Sequence, residues 1–598
     1  MTQARPRLHS TSALRSQLLR EAGERLVLLL NDPAAVEAER ARGHRGLMAM
    51  VKVAVVNALL AHEQADGVAS VPALPTSPDA VFPDQAARAA ASAWMGELED
   101  LQAETGLFSS GDNLASPPDS AFTITDVALV VQLLREGEPW FPELAARLEH
   151  LLGRALPALT TGGIHTPNHR WEISGALSRG GALLGNDAAL DRAREWLTEG
   201  VDVDADGIYS ERSPNYSAHV SNPSLLTMAE VLDRPDLLEI VHLNLHAQLD
   251  LTSPQGDLET TYSRRQDQKS GPFPLGPYLP QFARFAPTCQ RCAGAVPRVA
   301  RAPHRDAVET LTQALLVPAV AEAIGSVESE AADGAAAVSD DVAFTQGSGQ
   351  RWFSGIRLLR RWNGRDWASV YGGSDVPASG RIASGLACNP TFLRFALGGV
   401  EISSVRLSRD FFGLGPFRAA RAQCDEASST VVLNEELAAG YYQPLPADLR
   451  RPDGAYDLQF EGRFAAAMTF SQREVDLLHL NTEVSVQVSD EVVSLSVTTT
   501  GPVASHALEL ALPADAEVSG AVDLGDGRFC LEAGDAVVTS AGRALRIGPG
   551  AGGGARLPAE YHPGEAYTFL GGTDAVGGKR LYLTWASPGT TAITVSAI

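Results

Sequence analysis

The sequence predicts a two-domain protein in which an N-terminal α/α toroid, an incomplete barrel of paired helices, precedes a C-terminal antiparallel β-sandwich. Three observations support this. The chain has 598 residues, more than a single hydrophobic core normally supports. Apolar residues recur at helical spacing through roughly the first 325 residues and alternate at strand spacing afterwards. Because helices and strands fall in separate blocks, two domains are favoured over a single α/β sheet.

The helical domain is predicted to span 1–325. Its helices have apolar residues three and four positions apart, and Pro- and Gly-rich loops join them. Successive pairs of such helices are typical of a toroid, and the absence of a strict sequence repeat disfavours a solenoid of identical units. The predicted helices are Ala13–Leu30, Ala35–His62, Gln85–Leu101, Ile124–Leu134, Pro142–Leu151, Glu172–Leu184, Ala188–Val201, Pro223–Leu232, Asp236–Leu251 and Ala307–Ile324.

The segment 326–341 is acidic, rich in small residues and free of aromatic residues, so it is the predicted linker. From 342 to 598 short alternating runs are separated by turn residues, which is typical of a β-sandwich. The clearest predicted strands are 391–396, 429–433, 485–488, 492–497 and 581–585.

Composition narrows the classes of partner and compartment. A net charge of −24 argues against nucleic acid as a partner, and an anionic glycan would need local basic side chains to overcome it. No run of about 18 apolar residues is present, so no membrane-spanning helix is predicted. The basic N-terminus lacks the apolar run of a signal peptide, and five cysteines fit reduced thiols, so a cytoplasmic location is expected.

Two short segments carry the chemistry of the predicted site. Asn168 and His169 directly follow Pro167, where a helix is predicted to begin, and Tyr216 follows in a polar, turn-rich loop. An amide, an imidazole and a phenol are the groups that β-elimination from a uronic acid needs, to neutralise the sugar carboxylate and to move the C5 proton. Asn168, His169 and Tyr216 are therefore the predicted catalytic residues.

Polar and basic side chains near these segments are predicted to bind the substrate. The run TTYSRRQDQ, residues 260–268, offers guanidinium groups that suit a sugar carboxylate because they bind it in bidentate geometry. The residues predicted to bind substrate around the catalytic residues are Arg212, Glu172, Tyr262, Arg264, Arg265 and Gln268.

Each segment also has a structural alternative. Asn168 is a good N-cap residue, and Glu172 falls where a capping box would place it, so the helix start has an ordinary explanation. Asp202, Asp204 and Asp206 match the first half of a calcium loop. Ser213 stands where that loop requires a bidentate Glu, so calcium is disfavoured.

No metal site and no cofactor is predicted. His165 and His169 are four apart, but Pro167 between them breaks the helix that would align their rings. Cys289 and Cys292 form a CxxC for which the sequence analysis finds no partner pair, so a zinc site is disfavoured.

The motifs PNHRWEISGALSRGGALL and DGIYSERSPNYSAH resemble the two central motifs of the heparinase II/III-like polysaccharide lyases and their alginate-lyase relatives. The resemblance covers roughly residues 160–270. It implies a toroid followed by a sandwich, with Asn168 neutralising the substrate carboxylate, His169 acting on the same group or as base, and Tyr216 as acid. Members of the family carry a further His early in the sandwich. This chain has none between Asp341 and Asp425, and Tyr371 is the substitute candidate.

The predicted function is therefore β-elimination from a uronic-acid-containing oligo- or polysaccharide, which yields a C4–C5 unsaturated product. Two other classes stay open. A glycoside hydrolase would use two carboxylates among Asp206, Glu211, Asp257 and Glu259. A non-catalytic glycan-binding protein would use the aromatic and basic stretch Arg351–Trp367. Neither nucleic acid nor a membrane is an expected partner, and self-association is left open.

Overall fold

The structure is a computed structural model that describes residues 12–65, 83–136, 141–265, 267, 273–327, 347–379, 389–461, 467–551 and 578–598. The chain divides into two compact units. The first, the helical unit, comprises Met1–Leu249 and Pro274–Ser339, and the second, the sheet unit, comprises Asp250–Phe273 and Asp340–Ile598. The predicted fold class, a helical toroid followed by antiparallel sheets, is confirmed.

The first half of the chain, up to Leu251, contains most of the helices. Two short strands, β1 (Phe108–Ser110) and β2 (Asn113–Ser116), form a hairpin between the fourth and fifth helices. The helices are α1 (Ala13–Asn31), α2 (Pro33–Arg40), α3 (His44–Ala65), α4 (Pro83–Leu101), α5 (Pro117–Arg135), α6 (Pro142–Thr161), α7 (Asn168–Leu184), α8 (Asp187–Leu197), α9 (Pro214–Tyr216), α10 (Asn222–Val231) and α11 (Asp236–Leu251).

The remaining elements of this region follow α11. Strands β3 (Asp257–Leu258) and β4 (Phe273–Pro274) are two residues long. Four helices complete the helical unit: α12 (Leu279–Phe285), α13 (Gln290–Val299), α14 (Ala307–Leu316) and α15 (Pro318–Ser326).

The helices close into a ring. Neighbours in sequence pair, as α3 does with α4, α5 with α6 and α7 with α8, and alternate helices α3, α5, α7 and α10 contact one another in turn. Helix α1 packs on α14 and α15, and the Ser12 hydroxyl donates to the Ile324 carbonyl at 2.6 Å. These contacts join the two ends of the unit, as an α/α toroid requires.

Among the described residues, α3 alone passes a test of length and hydropathy for a membrane-spanning helix. An 18-residue window, His44–Ala61, is long and apolar enough to cross a membrane by composition alone. The protein itself buries 78 % of that window, as it would in a core helix.

The sheet unit contains two large antiparallel sheets with one parallel pair at an edge. A short helix, α16 (Val376–Ser379), follows the third strand of the first sheet. The strands in chain order are β5 (Ser348–Phe353), β6 (Leu358–Asn363), β7 (Asp366–Tyr371), β8 (Leu393–Leu397), β9 (Val400–Arg409), β10 (Arg421–Asp425), β11 (Thr430–Tyr442), β12 (Gln459–Phe460), β13 (Ala467–Met468), β14 (Val475–Val488), β15 (Val492–Thr500), β16 (Ser505–Leu512), β17 (Glu517–Ser519), β18 (Val522–Gly525), β19 (Arg528–Cys530), β20 (Ala536–Ser540), β21 (Arg543–Gly548), β22 (Lys579–Ala586) and β23 (Gly589–Ala597).

The two sheets form a sandwich. One has nine strands in the order β18-β19-β22-β16-β9-β8-β7-β6-β5, and the other has eight in the order β10-β11-β14-β15-β23-β21-β20-β17. In β15, buried and partly exposed residues alternate, as the sequence pattern predicts for a half-buried strand. Val484 and Val486 of one sheet share a single core with Leu508 and Leu510 of the other, which is the packing of a β-sandwich.

The segment Asp250–Phe273, which the sequence assigns to the helical domain, belongs to the sheet unit. Ion pairs explain this. Arg351 Nη1 lies 2.6 Å from Asp250 Oδ2, and Arg394 Nη1 lies 3.0 Å from Glu259 Oε1. These partners are about a hundred or more residues apart, so sequence patterns do not reveal them. Most of the predicted linker 326–341 lies outside the described residues, and its boundaries stay a prediction.

Candidate active site

Helix α7 begins at Asn168, which is the first helical residue rather than the cap. Pro167 occupies the cap position, and no side chain caps the helix. The Asn168 Oδ1 atom accepts a hydrogen bond from the Thr166 hydroxyl at 2.7 Å. Glu172 accepts one from Thr125 at 2.8 Å instead of completing a capping box. The structural alternative for this segment, an ordinary capped helix, is therefore wrong.

The Asn168 side chain is only 1 % exposed, and its Nδ2 atom has no hydrogen-bond partner among the described residues. Because Oδ1 is already used by Thr166, the amide presents an unused donor. A buried donor without a partner costs free energy, so its presence calls for an explanation such as a bound ligand. It stands in the first turn of α7, where backbone N–H groups favour an anion.

His169 lies beside it and is 8 % exposed. Its ring meets the ring of His165 edge-on, with centroids 4.7 Å apart, and a similar contact joins it to Phe122 at 6.2 Å. Two neighbouring rings therefore fix the orientation of the imidazole at the start of α7. His165 and His169 are adjacent, although Pro167 separates them in sequence.

Hydrogen bonds and an ion pair connect the loop before Tyr216 to the start of α7. Trp171 Nε1 donates to Asp202 Oδ1 at 3.1 Å, and Arg170 Nη2 lies 2.9 Å from the same oxygen. The backbone N–H of Asn168 donates to Glu211 Oε1 at 3.4 Å. The two sequence motifs therefore lie next to each other, as the sequence analysis expects of a shared site.

The same contacts weaken the calcium alternative. The Asp202 carboxylate is engaged by α7, and Asp204 Oδ1 accepts the backbone N–H groups of Asp206 and Ile208 at 3.0 and 2.9 Å. These carboxylates shape the loop itself.

Tyr216 ends a single helical turn, α9, and is half-buried. Arg212, also half-buried, precedes the turn in a left-handed conformation with φ 52°, and Ser213 caps the turn by accepting the Tyr216 N–H at 3.1 Å. The Tyr278 hydroxyl donates to the Pro214 carbonyl at 2.6 Å. A non-Gly residue at positive φ marks local strain, which often accompanies functional loops.

The residues after Tyr216, Ser217–Ser221, form a π-helical turn that runs into α10. Such turns are rare and are often found at functional sites. Gln281 Nε2 donates to the Ala218 carbonyl at 2.7 Å, and Asn222 Nδ2 donates to Gln281 at 2.8 Å and to Asn244 at 3.0 Å. This buried amide network holds the irregular turn in place.

Glu172 is 3 % exposed, so its side chain supports the helix rather than facing solvent. Burial raises the pKa of its carboxyl to about 7. Glu172 is also a predicted substrate-binding residue, and its carboxyl lies buried one turn inside α7.

Four further residues that are predicted to bind substrate belong to the sheet unit: Tyr262, Arg264, Arg265 and Tyr371. Tyr262 is 1 % exposed and Tyr371 is 4 % exposed. Arg264 is bound in bidentate geometry by Asp375, with both N–O distances 2.8 Å, and Arg265 is half-buried. Gln268 lies outside the described residues.

One of the four carboxylates considered for a hydrolase, Glu259, has a structural role in the sheet unit. Glu259 is 3 % exposed and is bound by Arg394, Ser369 and Thr261. Burial alone would raise the pKa of its carboxyl, but the guanidinium groups of Arg394 and Arg360 outweigh burial and hold that pKa well below its ordinary value. An ionised, paired carboxylate cannot act as a general acid.

The stretch Arg351–Trp367, considered as a glycan-binding surface, contains the second half of β5, all of β6 and the first two residues of β7. Arg360 is 1 % exposed, and its guanidinium lies 5.1 Å from the centre of the Trp367 ring. Trp352 packs against the sandwich core. These side chains therefore serve the interior of the sheet unit.

The sequence-based predictions did not include one cluster of possible metal ligands. The expectation that Cys289 and Cys292 lack a partner pair is wrong, because His242 and His246 of α11 lie beside them. All four ligand atoms are within 4.8 Å of one another. A sequence signal existed: the two histidines stand four apart on a predicted helix, and such residues share a face.

Comparison with known proteins supports the architecture. No family model and no curated protein matches the sequence. Among solved structures, the chondroitin AC lyase of Streptomyces coelicolor A3, in complex with chondroitin sulphate, is similar with a TM-score of 0.51 and 13 % identity, over 97 % of this chain and 79 % of that chain. A Paenibacillus xanthan lyase has a TM-score of 0.48 and 11 % identity, over 98 % of this chain and 57 % of that chain. At this identity, the first likeness establishes the fold alone.

Proposed function

We propose that the protein is a polysaccharide lyase that cleaves a uronic-acid-containing glycan by β-elimination. The observation that carries the proposal is the buried Asn168 Nδ2 donor, which has no partner among the described residues, at the start of a helix bound to the Tyr216 loop. The likeness of fold to a chondroitin lyase supports it, and so does the resemblance of both motifs to the heparinase II/III-like lyases.

The chemistry begins with the substrate carboxylate. Removal of the C5 proton leaves negative charge on the carbon and the adjacent carboxylate. Asn168, His169 and the first turn of α7 supply donors and a positive potential where that charge develops. Asn168 and His169 are 1 and 8 % exposed, so engagement of a sugar requires the neighbouring side chains to move aside.

Tyr216 supplies the acid. Its hydroxyl donates a proton to the glycosidic oxygen as the bond to C4 breaks, and a double bond forms between C4 and C5. In a syn elimination Tyr216 also removes the C5 proton, whereas in an anti elimination His169 removes it from the other face. The products are a shortened glycan and a sugar with an unsaturated uronate.

The net charge of −24 favours short substrates over long polyanions, because an oligosaccharide carries fewer repelled charges. We therefore propose that the enzyme acts on uronate-containing oligosaccharides. We also propose that it does so in the cytoplasm. Arg212, half-buried beside the Tyr216 turn, is the proposed carboxylate-binding group of this loop.

The direct test is incubation of the purified protein with a panel of uronate glycans and their oligosaccharides. A lyase produces ultraviolet absorbance from the double bond conjugated with the carboxylate, at the same rate as new chain ends appear. New reducing ends without absorbance would establish hydrolysis and refute the proposal. Binding without new ends on any substrate of the panel would indicate a non-catalytic glycan-binding protein.

A further inference from the structure

The helical unit contains a second polar cluster, made of His242 and His246 from α11 and Cys289 and Cys292 from the start of α13. The four ligand atoms lie within 4.8 Å of one another, and no carboxylate belongs to the group. His246 Nε2 lies 3.3 Å from Cys289 Sγ, and the two imidazole rings are 4.3 Å apart. We call these four residues the thiol–imidazole cluster.

The surroundings hold each donor in place. Cys289 caps α13, and its sulfur accepts the backbone N–H of Cys292 at 3.4 Å. The His242 ring stacks on Phe285, with centroids 5.1 Å apart. Cys292 is fully buried, and the buried His242 Nε2 has no hydrogen-bond partner among the described residues. Contacts of this kind fix the ligands of metal sites.

We propose that His242, His246, Cys289 and Cys292 bind one zinc ion in tetrahedral coordination. Two thiolates and two imidazoles are a donor set of structural zinc sites, and four protein ligands leave no open position for catalysis. Zinc–ligand bonds of about 2.0–2.3 Å place ligand atoms about 3.3–3.8 Å from one another. The cluster therefore needs to contract by about 1 Å, which side-chain rotation supplies.

The donor types select the ion. Nitrogen and sulfur ligands favour zinc over magnesium or calcium, which prefer oxygen. The two thiols bind the ion as thiolates and the two imidazoles as neutral rings, so zinc displaces thiol protons when it binds.

The site has a structural consequence. Between the two histidines on α11 stands Asn244, whose Nδ2 donates to the Gly207 carbonyl at 2.8 Å and whose Oδ1 accepts from Asn222. Zinc joins this part of α11 to α13 and so anchors the amide network beneath the Tyr216 turn. This proposal stands independently of the proposed reaction.

Metal analysis of the purified full-length protein tests the proposal. After dialysis we expect about one zinc per chain in the wild type, and less than a tenth of that in Cys289→Ser/Cys292→Ser. The matched control is Cys424→Ser, a half-buried free cysteine of the sheet unit, and it should keep the full amount. Equal zinc in all three proteins would overturn the assignment, and so would a wild type that neither carries zinc nor takes it up.

Two measurements on the wild type remain decisive if the double variant does not fold. Replacement of zinc by cobalt should give the intense visible bands of tetrahedral cobalt and a thiolate charge-transfer band. Removal of the metal with a chelator should also expose Cys289 and Cys292 to alkylation, as read by mass spectrometry, while Cys424 reacts at an unchanged rate. Octahedral cobalt spectra, or thiols alkylated equally with and without metal, would refute the site.

Discussion

Two buried polar clusters in the helical unit differ in what they leave unsatisfied. At the start of α7, Asn168 keeps an unused amide donor, and the neighbouring Tyr216 loop contains a left-handed residue and a π-helical turn. In the thiol–imidazole cluster, four soft donors converge on one another within 4.8 Å. Four ligand atoms that surround one point are suited to bind a metal ion. An unused amide donor beside an irregular loop is suited to bind a polar group of an organic substrate. The first cluster should therefore govern turnover and the second should govern stability.

The largest effect is expected from Asn168→Leu, which removes the amide at nearly constant size. Turnover should fall about 10²–10³-fold, as for loss of one donor to a developing negative charge. Stability should stay within about 1 kcal/mol of the wild type, since loss of the hydrogen bond from Thr166 to Oδ1 is offset by removal of the buried Nδ2, which has no partner among the described residues. Steady-state kinetics and thermal melts measure the two quantities on the same preparation.

Asn57→Leu is the matched control, because Asn57 Nδ2 donates to the Ala22 and Val53 carbonyls at 3.1 and 2.8 Å. That variant should lose stability by about 1–3 kcal/mol and keep its turnover, since it removes two side-chain hydrogen bonds, one of which joins α3 to α1. If Asn168→Leu instead loses stability and keeps full turnover, the amide is structural and the comparison fails.

The next largest effect is expected from Tyr216→Phe. Loss of the phenolic proton should lower turnover by at least ~100-fold, a typical contribution of a general acid. His169→Ala should cause a loss of the same order. Zinc content should not change, because the Tyr216 hydroxyl is not part of the thiol–imidazole cluster. Tyr441→Phe, at a 67 % exposed position of the sheet unit, is the control. Wild-type turnover in Tyr216→Phe would remove this residue from the mechanism.

The third prediction concerns Glu172, one turn inside α7, whose carboxyl has its pKa raised from 4.5 to about 7 by burial. The native state therefore holds this proton to higher pH than the unfolded chain. Its contribution to stability is fully present below about pH 4.5 and is lost as pH rises through about 7, with a total of about 3 kcal/mol. Chemical denaturation across this range measures it.

Glu172→Gln removes the titration and keeps an oxygen that accepts from Thr125. The variant should therefore be more stable than the wild type above pH 7 and should lose the slope between pH 4.5 and 7. An unchanged slope would show that other carboxyls govern the pH dependence, and Glu172 would then have no special part in holding the start of α7.

Much of this architecture is readable from local patterns. The predicted helix Asp236–Leu251 coincides with α11, and the change from helical to alternating periodicity separates helices from strands. Pro167 before Asn168 correctly predicts where α7 begins. These features depend on residues within a few positions of one another, so a single sequence contains them.

The rest depends on contacts between distant residues. Glu259 binds Arg394, which lies 135 residues further along the chain, and this ion pair helps to place Asp250–Phe273 in the sheet unit. His246 and Cys289 are 43 residues apart, and they meet where the residue that caps α13 comes next to α11. Local propensity also could not predict the π-helical turn at Ser217, because the buried network around Asn222 imposes it.

The smallest effect is expected from zinc removal. Chelation, or Cys289→Ser/Cys292→Ser, should lower stability by about 1–2 kcal/mol, which for a large unit is about 2–8 °C in melting temperature. The loss is modest because the buried Leu237, Val241 and Leu245 already hold α11 in the core. Turnover of the folded, zinc-free protein should stay within about twofold of the wild type.

Zinc removal and Tyr216→Phe together test whether the two clusters have separate roles. If zinc removal lowers turnover as strongly as Tyr216→Phe while the melting temperature holds, the cluster takes part in the reaction and the division of roles is wrong. If it lowers only the melting temperature, the convergent donors stabilise the fold. Loss of zinc then changes turnover by no more than twofold through the amide network between Asn244 and the Tyr216 turn, because the hydrogen bonds of that network persist without the metal.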